Sequence, residues 1–197
     1  MAYILGIDEV GRGCWAGPLV AGAVILNNDF EVPSDAAWRL NDSKVLSAKQ
    51  RDLTDVAIRQ LAVGYGLGWV EALELDEIGL SGAVALAMRR AYEEAIKAAD
   101  TYIDRIVIDG AINYLPDIIG TEAVVKADGS ISAVSAASIL AKVARDTWMQ
   151  TEAEKMFPGY GFAKHVGYGT KQHQEALQQL GVTELHRKSF RPVPKLM

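Results

Sequence analysis

The sequence predicts an α/β fold: a mixed sheet of about five strands flanked by helices, with a helical C-terminal region. Three observations predict it. Three β-prone apolar runs come early in the chain, and strand-like and helix-like patterns alternate after them, the arrangement of a mixed sheet with helices on its faces. The size and composition agree, because 197 residues with 50% hydrophobic and 23% charged suit one soluble domain, 1–197, with a sizeable core.

The first strand is Tyr3 to Asp8 (YILGID) and the second Leu19 to Leu26 (LVAGAVIL). Next comes SAKQRDLTDVAIRQLA, where Ser47 is placed to cap a helix and Leu53, Val56, Ala57, Gln60 and Leu61 follow helical spacing. Gly64 to Val70 (GYGLGWV) is a third, glycine-rich strand. A short helix near Glu74 to Ile78 precedes a clearer one, Ser81 to Ala99, striped by Val84, Ala87, Met88, Ala91, Ala95 and Ile96. Strands follow at Arg105 to Asp109 (RIVID) and Glu122 to Lys126 (EAVVK). A long helix from about Ser132 to Met156 is thick with Ala and Ser, whose small side chains allow close packing on a sheet. Phe157 to Thr170 reads as loop by its glycines and Pro158, and Lys171 to Leu180 as a helix ended by Gly181.

The charge is uneven. Against a net −5 for the chain, the stretch from Lys155 onward holds seven Lys or Arg and two acids, Glu175 and Glu184, with all three histidines. An acidic body with a basic C-terminal quarter can offer one local patch to phosphates, although a plain solvated face has the same composition. The single cysteine, Cys14, excludes an internal disulfide and suits a reducing compartment; with no signal-like segment after Met1-Ala2-Tyr3, the expectation is a cytoplasmic protein. The longest uncharged stretch, Cys14 to Asn28, is too short for a membrane span and carries Gly17, Pro18 and Gly22.

The chemistry concentrates where apolar runs end. GIDEVGRGCWAGP places Asp8 and Glu9 at the end of the first strand; they can serve one site only if the strand stops between them and Glu9 belongs to the turn that Gly11 and Gly13 supply. Asp109 ends RIVID before Gly110, and Asp128 follows EAVVKA before Gly129. Carboxylates gathered at strand ends repel and are costly to desolvate unless a cation joins them. Hard oxygen ligands suit Mg2+ or Mn2+, and two such ions about 4 Å apart promote phosphoryl transfer. An Asp-Gly pair is also an ordinary turn. Likewise Gly11 to Gly13 either brings backbone amides to a ligand, with Arg12 on a phosphate, or makes a turn in which Arg12 pairs with a nearby acid.

These residues together resemble ribonuclease HII, the type 2 ribonuclease H family. DEVGRG (Asp8 to Gly13), NDSK (Asn41 to Lys44), IDG (Ile108 to Gly110), KADGSISAVSAASILAKVARD (Lys126 to Asp146), YGFAKHVGYGT (Tyr160 to Thr170) and HRKSF (His186 to Phe190) stand in the family's order, over almost the whole chain. The resemblance implies a ribonuclease H-like fold and a metal-binding quartet of Asp8, Glu9, Asp109 and Asp128, with Asp8 bridging two ions. It implies hydrolysis of RNA in RNA–DNA hybrids and of duplex DNA containing ribonucleotides, by in-line attack of water that leaves 5′-phosphate and 3′-hydroxyl ends. It also implies that the backbone of Gly11, Arg12 and Gly13, with Tyr168, reads the ribose 2′-hydroxyl. Lys44 is a candidate phosphate contact. His186, Arg187 and Lys188 are expected on a basic, substrate-facing patch within region 157–197. Asp146 is expected to pair with Lys142 and not with metal, and His165, His173 and His186 show no metal-ligand spacing.

The chain departs from the family pattern at Val45 and Val166, where lysines are common, and at the bulkier CWAG of Cys14 to Gly17. These bear on affinity more than on the reaction. A monomer is expected, since no extra apolar surface stands out. Two other readings compete: another nuclease of the ribonuclease H superfamily, which the GRG loop with Tyr168 argues against, and a non-catalytic nucleic-acid-binding module, which the retained acids argue against.

Overall fold

The computed structural model describes residues 2–99 and 101–195, so Met1 of the opening Met1-Ala2-Tyr3 and the last two positions of the 1–197 domain lie outside it. Strands β1 (Tyr3–Val10), β2 (Leu19–Asn27), β3 (Gly64–Val70), β4 (Arg105–Asp109) and β5 (Thr121–Val124) form one mixed sheet in the order β3-β2-β1-β4-β5. β1 pairs antiparallel with β2 and parallel with β4, so the ends of β1 and β4 that carry acids lie side by side.

Helix α1 (Ala48–Leu61) starts at a complete capping box, with Gln50 N–H donating to Ser47 Oγ and the Gln50 side chain accepting in return. Helix α2 (Ala72–Ala98) covers one face of the sheet, where Leu5, Ile7, Ala21, Ala23 and Ile25 meet Val84, Ala87, Met88 and Ala91. On β3 a side chain at Gly64, Gly66 or Gly68 would strike the carbonyls of Ala95, Ala91 and Ala87, so the glycines of that strand let α2 lie against it. Helix α3 (Ser132–Trp148) covers the other face with α1 outside it; a Cβ on Gly6 would meet the Ala133 backbone at 2.2 Å. The Ala and Ser of α3 do permit the close approach its composition predicts.

Three expectations are corrected and one is met. β1 does not stop at Asp8, because Glu9 and Val10 stay in the ladder opposite Ala21 and Val20. β5 ends at Val124, since Lys126 takes a left-handed conformation (φ 60°) and Ala127–Gly129 turns as a 3-10 helix. The break expected between helices at 74–78 and 81–99 is present, because Gly79 leaves helical geometry within Ala72–Ala98 (φ 74°). The inward face of α1 is Thr54, Asp55, Ala57 and Ile58, while Leu53, Val56 and Leu61 are exposed. Ile58 of that face packs with Leu46 and α3, and the rest meets a loop needing donors, so Thr54 Oγ1 bonds Arg39 O and Arg51 reaches Ser43 O and Leu46 O.

Beyond α3 a wide π turn (Met149–Ala153) and α4 (Glu154–Met156) carry the helix on to its expected end. Then α5 (Phe162–His165) and α6 (Lys171–Leu180), closed by Gly181 at φ 81°, fold with the last segment around a separate apolar cluster of Ala16, Met149, Tyr160, Phe162, Leu177 and Leu185. Among the described residues no helix is long and apolar enough to cross a membrane.

Candidate active site

Strand alternation decides which acids meet. On β1, Ile4 and Gly6 face α3, and Asp8 continues that series; on β4, Val107 faces the α3 side and Asp109 follows it. Parallel pairing of the two strands then brings both carboxylates to one place, and the 3-10 turn after β5 adds Asp128. Oxygens of Asp8, Asp109 and Asp128 all lie within 4.8 Å of one another. The support is specific: Asp109 Oδ1 accepts from Ala127 N (2.7 Å), Asp8 Oδ1 accepts from Glu9 N (2.7 Å), and Ser135 Oγ bonds the Asp128 carbonyl.

Glu9 falls on the opposite face by the same alternation. It lines the cleft, yet its Oε1 accepts from Arg12 Nη1 at 3.1 Å, and Arg12 Nη2 donates to Tyr114 Oη at 3.2 Å. Arg12 is therefore engaged by an acid, and of the two readings of GRG this chain shows the paired one for its side chain.

Electrostatics mark the cluster as short of positive charge. Burial first, then Glu9 and Asp109, push the Asp8 carboxyl up to about 8 against a hydrogen bond from Ser138. Glu9 is raised by burial in spite of Arg12, and Asp128 by burial followed by Asp109 and Asp42. Three converging carboxylate oxygens, one of them buried and held largely protonated at neutral pH, are a donor set that fits a hard divalent cation.

The facing wall is made of loops. Gly11, Arg12, Gly13, Lys44 and Tyr168 all line the cleft with Asp8, Glu9 and Asp109. Ser43 Oγ lies 3.0 Å from Ser138 Oγ, which pins the NDSK turn to α3. Tyr168 is 39% exposed, with Lys142 Nζ 5.8 Å from its ring centre; Lys142 also pairs with Asp146 at 2.8 Å, as expected of Asp146.

Arg187 is the correction among the site residues. It is fully buried, and its guanidinium donates to Gly11 O (2.6 Å), Arg12 O (3.2 Å) and Gly17 O (3.0 and 3.1 Å). It stands behind the GRG loop and not on a substrate-facing surface, because a chain turning this tightly leaves carbonyls that need donors. His186 is buried as well, while Lys188 is exposed with its backbone N–H held by Asp76. Arg145, also fully buried, does for the other side of the loop what Arg187 does for this one, donating to Ala16 O, Pro18 O and Val166 O. Sequence reasoning missed Ser138, Lys142 and Arg145 as a group, although Ser135, Ser138, Lys142 and Arg145 recur at the spacing of one helical face.

A mixed sheet that converges carboxylates on the ends of adjacent parallel strands, beneath a glycine loop, defines a ribonuclease H-type endonuclease. The chain belongs to the ribonuclease HII family, whose model matches residues 5–193. It is 44% identical over 196 residues to a ribonuclease HII of Ligilactobacillus salivarius, covering 99% of this chain and 72% of the relative. The crystal structure of ribonuclease H2 from Pyrococcus horikoshii superposes with a TM-score of 0.74 at 25% identity, over 98% of this chain and 96% of that one. Bst-RNase HIII in complex with Mn2+ shares the fold, with a TM-score of 0.76 at 21% identity over 99% of this chain and 69% of that one.

Proposed function

We propose that the protein hydrolyses the RNA strand of RNA–DNA hybrids and cuts 5′ of ribonucleotides embedded in duplex DNA, using two divalent ions, Mg2+ or Mn2+. The observation that carries this reading is the cleft itself, with Asp8, Asp109 and Asp128 on one side and Gly11–Gly13 and Tyr168 on the other. Asp8, Glu9, Asp109 and Asp128 would hold the ions, Glu9 once it releases Arg12. When bound, the ions supply an activated water and stabilise the charge that develops on the scissile phosphate and its leaving oxygen.

The chain's own residues set the geometry. Asp109 accepts the Ala127 N–H and so keeps Asp128 in place relative to Asp8. The amides of Gly11 to Gly13 meet the sugar–phosphate backbone, and the Tyr168 hydroxyl meets the ribose 2′-hydroxyl, the group that separates RNA from DNA. Lys44 offers a phosphate contact beside Asp128. Region 157–197 serves as the basic substrate-binding part of the domain through exposed side chains such as Lys188, with Arg187 acting from inside. In this reading the enzyme works as a monomer in the cytoplasm.

The test is a cleavage-site map on duplex DNA carrying one ribonucleotide, run in Mg2+, in Mn2+ and in chelator. One cut 5′ of the ribonucleotide is expected with either ion and none in chelator, with a 3′-hydroxyl at the nick. Cutting in chelator, or a duplex cut equally without its ribonucleotide, overturns the reading. Tyr168→Phe, which removes only the hydroxyl, is expected to cost about 1–3 kcal/mol in kcat/KM on this duplex.

A further inference from the structure

Behind Tyr168 lie three buried imidazoles. His165 and His173 stack with ring centres 4.5 Å apart, and His173 Nε2 is 3.0 Å from His186 Nε2. Their protons are set from the two ends. The Thr183 backbone N–H, 3.0 Å from His186 Nδ1, can only donate, so His186 carries its proton on Nε2. The Tyr168 carbonyl, 3.0 Å from His173 Nδ1, can only accept, so His173 carries its proton on Nδ1. That leaves His186 Nε2–H donating to His173 Nε2, a chain running in one direction with one proton per ring. An added proton would set N–H against N–H. His165 is fixed likewise, accepting from Gly167 N and donating to Tyr160 O.

The loop these rings hold is otherwise tied by its backbone, with Arg145 donating to Val166 O, Trp15 N–H to Gly167 O and Tyr168 N–H to His165 O. Val166 is left-handed at φ 43°, an unfavourable place for a β-branched residue, and Gly167 follows at φ 88°. Neither a strand ladder nor a long helix fixes Tyr168. Its side chain meets Lys142 and Cys14, and the carbonyl of its peptide is held by two donors, the Thr170 N–H at 2.8 Å and the His173 imidazole at 3.0 Å.

We propose that His173 and His186 are positioning residues of the ribose-reading loop, a directed hydrogen-bond relay that sets where the Tyr168 side chain stands in the cleft. The inference rests on the reading of Tyr168 given above. It assigns to the histidines no contact with substrate or metal; they act through one carbonyl.

A double-variant cycle tests it, with kcat/KM on the single-ribonucleotide duplex and the thermal unfolding midpoint measured for Tyr168→Ala, His173→Phe and both together. His173→Phe is expected to lower kcat/KM about tenfold alone but under about twofold when Tyr168 is already Ala, while lowering the unfolding midpoint equally in both. Equal loss of activity in both backgrounds overturns the relay and leaves the Tyr168 reading intact. Parent-like activity of Tyr168→Ala overturns that reading and the relay's purpose with it. Should His173→Phe fail to fold, His173→Asn replaces it in the cycle. Its amide stands where Nδ1–H stood, so activity within about threefold of the parent is expected, and a loss shared by the Tyr168→Ala background overturns the relay.

Discussion

Asp109 closes β4 and Asp8 sits within the ladder of its partner β1, whereas Gly11 to Gly13 and Tyr168, across the same cleft, sit on loops that no ladder holds. The acid wall has regular support and unfavourable groups: carboxylates forced together, with Asp8 held largely protonated by burial and by its neighbours. The loop wall has irregular support and neutral working groups. What holds it is buried and polar, Arg145 and Arg187 fully inside with backbone carbonyls as their acceptors, and the histidine relay beside them. Neither arginine makes an ion pair among the described residues. The difference teaches that one wall is built to receive positive charge and the other to hold backbone still.

The largest expected effect breaks the acid wall. Asp109→Asn or Asp128→Asn keeps shape and removes a charge that offsets the ions, so turnover at saturating Mg2+ should fall by about three orders of magnitude or more. Folding should survive, since removing one of several repelling carboxylates relieves the cluster. Parent activity in Asp109→Asn would sink the metal assignment.

The loop wall should break through stability. Arg187→Met removes the guanidinium donor from three carbonyls, Gly11 and Arg12 of the GRG segment and Gly17 beyond it, a loss on the order of 3 kcal/mol measured by urea unfolding. Preference for the ribonucleotide over a deoxyribonucleotide at the cut site should narrow in the same variant. If stability is unchanged and only duplex affinity falls, Arg187 is a phosphate contact after all.

The two walls also carry opposite pH signatures. Asp8 titrates near 3.8 when free and about 8 in the fold, so the folded protein holds an extra proton between those values, and without metal its stability falls as pH rises from about 4 to 8. His173 and His186 go the other way. Burial, and for His186 the neighbouring His173, lowers both from 6.5 to about 4, so their contribution is full above 6.5 and is lost as pH falls toward 4. In chelator the unfolding midpoint should peak near pH 6.5. Asp8→Asn or added Mg2+ should flatten the limb above the peak, and His173→Phe the limb below it. A profile that Asp8→Asn leaves unchanged would place the proton elsewhere.

How far each wall could be read from sequence follows from the same contrast. Asp8, Asp109 and Asp128 announce themselves because each closes an apolar run, and the five strands were legible by the same runs. The two faces of β1 were not, since the end of a ladder is decided by its partner, here Ala21 and Val20 of β2. Arg187 reads as one more cation in HRKSF, because its acceptors at Gly11 and Gly17 are some 170 residues earlier in the chain. The histidines show no spacing for the same reason, their partners being one another and a backbone carbonyl. The inner face of α1 stayed hidden because its needs are mixed, Thr54 bonding a loop carbonyl while Ile58 packs with Leu46 and the apolar side of α3.

The smallest expected effect separates what region 157–197 does from inside and from outside. Lys188 is exposed and its backbone is tied to Asp76 of α2, so its side chain is presented from a fixed base without lining the cleft. If it meets a phosphate of the flanking duplex, Lys188→Ala should lower the slope of log affinity against log salt by about one, the release of roughly one counterion. Its kcat at saturating substrate should not move, because the contact is the same in the ground and transition states. Arg187→Met, measured beside it, should leave the salt slope unchanged, since a guanidinium enclosed by carbonyls displaces no counterion from DNA. An unchanged slope in Lys188→Ala makes that lysine a solvated surface residue, and the region then contributes to substrate binding only by shaping Gly11 to Gly13 and Tyr168 from behind.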